Sequence, residues 1–549
     1  MTASDSIAPR YTFSRRLLVL LILLTLAFST RLLPYSISSY PFNNDGVTEA
    51  RIAGDILSSE SLSYPIDSFY RDTYSVVTPV YNIALAFSAS VLDVSPFSLS
   101  QTLVAMFSIL TVLAGYVIAL RISKSLVGAL STAMVLSLLG TFVYLSGSSW
   151  KGSLGVALLM LLTLAYINRS DKRYLALELL ILAALPLTHH LVALLACMML
   201  AYLTFLSLSV ALARRNFRRQ HALDLAILVA ASVAAYIYYR GSSFERLSEF
   251  GSLESILLTS AVFLGLFFLA AVTLYRRKRT ELTFAPVAGV IVAFFVFIDY
   301  SNPVFPYTTG HSVNILFLGL MYSVIVAFAW FGLEVAIRLN SVHKAIPLGL
   351  LLPVLTLLLF ATISGFSLSS HKIFYRTFDF ADLFIALGIS VSIAGISKKR
   401  IRAAAVIGLL CILICTFPFA YITGPLVGIR HDTQQYEVDG MAWVKDHFDM
   451  PVSLKSDERL AYNARALFDF EKDPYLPSIL VEGNLSRLRS VNLMLEEWTT
   501  VGVNDYPRGY TILDGKYIDN VLLNSDILFV GGPDDNNVVV FKLSIVATV

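Results

Sequence analysis

Thirteen apolar runs follow one another through the first 420 residues, each about as long as the 15 to 25 residues a helix needs to cross a bilayer. They lie near 17–33, 98–120, 126–145, 153–167, 174–188, 190–212, 222–239, 255–274, 282–298, 312–337, 345–363, 378–396 and 403–420. With 56% hydrophobic and only 14% charged side chains, a water-soluble globular chain is excluded. The expected fold class is an α-helical polytopic membrane protein of about 13 transmembrane helices, because only helices or closed barrels satisfy every backbone polar group in lipid.

The net charge of +3 says little, but its distribution is ordered. Arg15/Arg16, Arg121/Lys124, Arg169/Lys172/Arg173, Arg214/Arg215/Arg218/Arg219, Arg276/Arg277/Lys278/Arg279, Arg338/Lys344 and Lys398/Lys399/Arg400/Arg402 fall in alternate connections. By the positive-inside rule that side is cytoplasmic, so the N-terminus is expected inside and the C-terminus outside. The opposite connections hold scattered cations, Arg31, Arg51, Arg71, Lys151, Arg240, Arg246, Lys372 and Arg376, among Tyr, Phe, Ser, Asn and Asp. A competing reading makes residues 1–30 a cleaved signal peptide, but the apolar stretch continues through Leu32 and Leu33 with no small-x-small cleavage site.

Two further apolar stretches, 47–58 and 79–92, are too polar or too short to span, and both fall in the first external loop, 34–97. They are expected to lie in the membrane interface as helices. Counting 79–92 as a span would reverse every later basic cluster. After Ala420 the composition changes, and residues 421–549 are expected to form a small external α/β domain, leaving 1–420 as the transmembrane domain. In it Met441–Lys445 reads as an amphipathic helix, and 526–530 and 538–541 read as strands about a Gly-Gly-Pro-Asp-Asp-Asn-Asn turn. All three cysteines, Cys197, Cys411 and Cys415, fall inside apolar runs, so that domain holds no disulfide. Asn484-Leu485-Ser486 is a glycosylation sequon compatible with an external position.

Charged side chains avoid the middles of the apolar runs. Glu178, Asp224 and Glu334 stand near cytoplasmic ends, and Asp379 and Asp382 near an external one. This argues against ion-coupled transport. The polar groups collect outside instead, beginning with Phe42-Asn43-Asn44-Asp45-Gly46-Val47-Thr48-Glu49-Ala50-Arg51 directly after the first span.

A first span, an external loop opening on an acid, an interfacial helix, the stretch Thr78-Pro79-Val80-Tyr81-Asn82 and a second span ending in basic residues resemble the GT-C glycosyltransferases. That superfamily includes protein O-mannosyltransferases, aminoarabinose transferases and oligosaccharyltransferases. The resemblance covers residues 15–210 by motif order and the whole chain by topology. It implies transfer of a sugar from a polyprenyl-phosphate donor to a glycan, lipid or protein acceptor on the external face, with inversion at the anomeric carbon. No nucleic acid is implied.

The resemblance carries the catalytic acid to Asp45, a base within hydrogen-bond reach of the attacking acceptor. An N-cap of the following helix is the alternative. Glu49, one turn on, is a candidate for the acceptor or a divalent cation, against a surface salt bridge to Arg51. Arg376 is the expected carrier-phosphate ligand, its planar guanidinium suited to a bidentate grip, against a snorkelling anchor. Lys151, beside Trp150, and His311 are further outward-facing candidates, against simple interface anchors. His189 and His190 sit at the external turn of the fifth and sixth spans; as i and i+1 neighbours they would make a poor chelate, and capping or hydrogen bonding at that turn is the expectation.

The second external loop has no Asp-x-Asp pair, and Trp498-Thr499-Thr500 is not a Trp-Trp-Asp motif. Both departures argue against whole-oligosaccharide transfer to asparagine, and they leave any metal cofactor unidentified. The alternatives are a polyprenyl-linked glycan ligase or polymerase, told apart by its diphosphate-linked donor, and a non-enzymatic transporter or scaffold.

Overall fold

The computed structural model describes residues 8–61, 77–215, 217, 219–241, 262, 264–265, 285–301, 313–338, 346–363, 368–421, 431–449, 452–484, 487–488, 490–500, 502–505, 509–533 and 537–543. Helix α1 (Ala8–Leu32) opens the chain, and α2 (Asn44–Ser59) and α3 (Val80–Leu92) occupy the connection to α4 (Pro96–Ser123). Then come α5 (Leu126–Leu138), α6 (Gly140–Gly147), α7 (Lys151–Asn168), α8 (Lys172–Thr188), α9 (His190–Arg214) and α10 (Arg219–Gly241). The bundle closes with α11 (Ala285–Ser301), α12 (Val313–Arg338), α13 (Ile346–Ile363), α14 (Leu368–Gly395) and α15 (Lys399–Thr416).

Among the described residues eight helices are long and apolar enough to cross a membrane, or nine if the bent pair α5 and α6 is one span. This is a multi-pass membrane architecture. The expected run near 255–274 falls almost wholly outside the described residues. The helices start where short polar side chains can receive free backbone N–H groups: Ser95, Ser125 and Asp171 cap α4, α5 and α8.

The span made by α5 and α6 is broken by 62° at Leu139. A Cβ on Gly140 would stand 2.0 Å from the Thr416 carbonyl oxygen, so only glycine lets this corner meet the end of α15. Breaking a helix in an apolar setting strands its last carbonyls, and each stranded group is costly. Arg31 answers that need. Its Nη2 donates to the Leu136 carbonyl at 2.7 Å and its Nη1 to the Ser137 carbonyl at 2.8 Å, while Nε and Nη2 reach Ser146 Oγ across the break. Arg31 is therefore fully buried at the end of the first span, not a loop cation. On the other half of the break, Thr141 donates to Asp382, whose second oxygen takes the Tyr322 hydroxyl. Asp382 is buried and faces the N-terminal end of α6, where the helix dipole favours an anion.

Helix α2 differs from the expectation of an interfacial helix. Val47, Ala50, Ile52, Ala53 and Ile56 are buried, packed with Tyr81 and Leu85 of α3, Leu99 and Leu103 of α4, and Ala466. Protein, not lipid, covers its apolar face. Helix α3, unlike α2, turns large apolar side chains outward, at Phe87, Val91 and Leu92.

Beyond the bundle lie α16 (Gln435–His447), β1 (Ser453–Lys455), α17 (Glu458–Phe468), β2 (Glu471–Asp473), α18 (Leu476–Glu482), β3 (Val491–Leu495), β4 (Val503–Asp505), β5 (Gly509–Thr511), α19 (Gly515–Leu523), β6 (Ser525–Gly531) and β7 (Val538–Leu543). Five strands form one mixed sheet in the order β2-β1-β3-β7-β6, parallel through β1 and antiparallel about β7. The expected hairpin is present as β6 and β7, and the expected helix as α16. Strands β4 and β5 pair separately. A second apolar core, with Trp498 and Phe541 fully buried, packs the helices on this sheet.

This region is tied to the first long connection. Arg51 donates to the Ala466 carbonyl at 3.0 Å and to Asp469 at 2.8 Å, and Asn43 N–H donates to the His431 carbonyl at 3.0 Å. Burial and the nearby Arg459 push the His431 imidazole down to about 4. Its free value is 6.5, so between pH 6.5 and about 4 the unfolded chain binds a proton that the folded chain refuses. Stability from this group is complete above 6.5 and falls on acidification through that window. Burial raises Asp457 to about 6, which acts in the opposite sense between its free value of 3.8 and 6. The difference between parent and His431→Asn isolates the histidine, and thermal melts should show the parent losing on the order of 2 kcal/mol more than the variant from pH 7 to 4.5. Parallel pH profiles would refute it.

Candidate active site

Three segments distant in sequence converge where the spans meet the ends opposite the basic clusters. The first is the start of α2. Asn43, held at φ 84°, accepts the Asp45 N–H at 3.2 Å and is the N-cap. Asp45 is thus not the cap. It occupies the first turn, exposed, and its carboxylate makes no hydrogen bond or ion pair among the described residues.

The second segment is Ser148–Lys151, between α6 and α7. A Cβ on Gly46 would lie 2.5 Å from both Cβ and the carbonyl oxygen of Ser149, so glycine beside Asp45 permits contact between the two loops. Ser149 N–H donates to the Phe42 carbonyl at 2.9 Å and fixes their register.

Glu49, one turn on from Asp45, is buried in protein where Asp45 is exposed. Its Oε1 lies 3.3 Å from Lys151 Nζ and its Oε2 accepts from Asn82 Nδ2 at 2.5 Å. All three side chains are buried. The alternative of a Glu49–Arg51 pair is not what forms: Arg51 bonds Asp55 at 3.0 Å and Asp469. On a helix i and i+2 do not face each other, so Arg51 points to the C-terminal region while Glu49 points to the bundle. Asn82, quoted in the sequence pattern without a role, is the residue that orients Glu49.

The third segment gathers around Trp150. The Arg376 guanidinium carbon lies 5.7 Å from the indole centroid, and the His189 ring meets that indole edge-on at 5.6 Å. Arg376 sits about two turns inside α14, half-buried, rather than at its first residue. Both Arg376 and Lys151 are near enough to act electrostatically on His189 and His190. The two imidazoles stack at 5.0 Å and 11°, where neighbours within a helix would diverge. The reason is that His189 is extended, φ −160°, and caps α9 by accepting Val192 N–H at 3.4 Å. His311 lies outside the described residues.

Beside this cluster, α8 and α10 leave an apolar groove of about 360 Å³, lined by Leu179, Leu182, Pro186, Ile227, Ala231 and Tyr238. Its upper end is pinned by Tyr239, which donates to the Pro186 carbonyl, and by Tyr238, which donates to that of Val77. Among the described residues no group of three or more His, Cys, Asp or Glu side chains is placed to hold a metal ion. The convergence brings together Asp45, Glu49, Lys151 and Arg376: an exposed acid, a buried acid holding one cation, and a second cation on an aromatic face.

No protein-family model matches the chain, and no curated protein matches it. In fold it is similar to ArnT from Cupriavidus metallidurans bound to undecaprenyl phosphate, with a TM-score of 0.41 and 10% identity over 96% of this chain and 98% of that one. It is also similar to the apo state of the same protein, with a TM-score of 0.40 and 11% identity over 97% and 98% of the two chains. The likeness is full-length and distant, and the chemistry has to be argued from the residues of this chain.

Proposed function

We propose that the protein is an integral membrane glycosyltransferase that moves one sugar from a polyprenyl-phosphate donor to an acceptor on the external face. The observation that carries this reading is the uncommitted Asp45 carboxylate, set by the Gly46–Ser149 contact on the loop that ends in Trp150 and Lys151. An acceptor hydroxyl attacks the anomeric carbon and gives its proton to Asp45. The bond from that carbon to the phosphate oxygen breaks with inversion, and its electron pair stays on the phosphate. Arg376 and Lys151 meet the growing negative charge. The groove between α8 and α10 suits an isoprenoid chain, and its lining reaches Leu187, two residues before His189.

In this reading thirteen spans occupy residues 1–420 and residues 421–549 form the external α/β domain, an orientation that the alternating positive clusters support. Glu49 holds Lys151 in place. His311 keeps an outward position in the sequence and no assigned role.

The test is transfer from defined donors by purified protein in lipid nanodiscs. Undecaprenyl-phosphate monosaccharide should be consumed and undecaprenyl-diphosphate oligosaccharide should not. Arg376→Ala should lower kcat/KM by about 10²–10³, the usual loss when a donor to developing charge is removed. Use of the diphosphate donor alone would move the assignment to a ligase, and an unchanged kcat/KM in the variant would remove Arg376 from the site.

A further inference from the structure

Gln101, in the first turns of α4, is fully buried, and all four of its hydrogen-bonding directions are filled. Its Nε2 donates to the Arg31 and Gly147 carbonyls, each at 2.6 Å. Its Oε1 accepts from Ser149 Oγ at 2.7 Å and from the Phe42 N–H at 3.3 Å. The partners settle the orientation of the amide, since turning it over would set donors against donors and oxygen against carbonyl oxygens.

These four bonds join three segments: the end of the first span, the strap that carries Asp45, and the corner that carries Trp150 and Lys151. Phe42 stands three residues before Asp45, and Ser149 two before Lys151. The only direct backbone bond between strap and corner is Ser149 N–H to the Phe42 carbonyl, at 2.9 Å, among the described residues. That bond sets the register of the two loops, and Gln101 bonds both of them and the end of the first span at once. We infer that Gln101 is a positioning residue that sets the acid-bearing strap against the cation-bearing corner, and in its catalytic consequence this rests on the function proposed above.

No apolar or charged isostere can do this. Methionine fills the volume and leaves two carbonyls and two donors without partners in a buried place. Glutamate keeps the accepting half and turns an oxygen toward the Arg31 and Gly147 carbonyls.

The experiment has two arms, run on purified full-length protein. In hydrogen exchange, Gln101→Met should speed the amides of peptides covering 40–46 and 147–152 together by about tenfold, while peptides of α9 stay unchanged. Acceleration of one segment alone, or of the whole chain, would overturn the coupling. In the transfer assay, Gln101→Met should lower kcat about tenfold in the parent background and less than about twofold when Asp45→Asn is already present, since a group acting through Asp45 has nothing left to position. Equal losses in both backgrounds would reduce Gln101 to a structural residue. If the parent itself consumes no polyprenyl-phosphate sugar, the proposed function fails, and the exchange arm alone still decides whether Gln101 couples the two loops.

Discussion

Asp45→Asn is expected to fold as the parent does and to lose about 10²–10⁴-fold in turnover, the range for removing a general base. The two halves of that expectation have separate grounds. Folding is spared because the carboxylate has no partner among the described residues and the helix is capped by Asn43, whose side chain accepts the Asp45 N–H. The one stabilising effect surrendered is an anion in the first turn of α2, about 0.3–1 kcal/mol. Turnover falls because the amide occupies the same space and cannot take the acceptor's proton. Initial rates with a polyprenyl-phosphate sugar, set beside a thermal melt of the same preparation, separate the two. A variant that kept more than about a tenth of parental turnover would end the assignment of Asp45 as base.

Arg31→Met is expected to have the largest effect on stability. The guanidinium serves the Leu136 and Ser137 carbonyls freed by the break in the α5–α6 span, and it bonds Ser146 and Thr30 besides. Each buried acceptor left without a donor costs about 1–3 kcal/mol, so the loss should be on the order of 3–5 kcal/mol, offset only in part by burying no charge. Lysine has three donors on one point and cannot reproduce a planar fork with five, so Arg31→Lys should rescue little. Thermal aggregation in detergent, followed by size-exclusion chromatography, reads the effect. Equal midpoints for parent and Arg31→Met would mean that water or the neighbouring hydroxyls satisfy the break without the arginine.

How legible the molecule was in its sequence depends on the range of the interaction concerned. The long helices could be placed from apolar run length, since the bilayer sets one length and lipid forbids unpaired backbone. The β6–β7 hairpin could be placed because a Gly-Gly-Pro-Asp-Asp turn between alternating apolar residues is a local signal. The break at Leu139 could not, although Gly140 stands beside it. A glycine within an apolar run reads as a tolerated weakness until the Thr416 carbonyl appears against it.

The side-chain partners divide in the same way. Arg51 was the obvious mate for Glu49 at a separation of two, yet Lys151, a hundred residues on, takes that place. Capping at a turn could be expected of His189 and His190, but not the stacking of their rings, which the extended backbone at His189 produces. Gln101 carried no signal beyond being a polar residue in an apolar run.

The sequence by itself determined that this chain belongs in a bilayer and where its long apolar helices fall, because hydropathy acts on each segment independently of the rest. Which acid is spent and which is left exposed, which arginine mends a broken helix, and which glutamine joins two loops were decided by the tertiary structure. Those outcomes depend on carbonyls and side chains brought within 3.3 Å from segments up to about a hundred residues apart, and only the packed bundle brings them there.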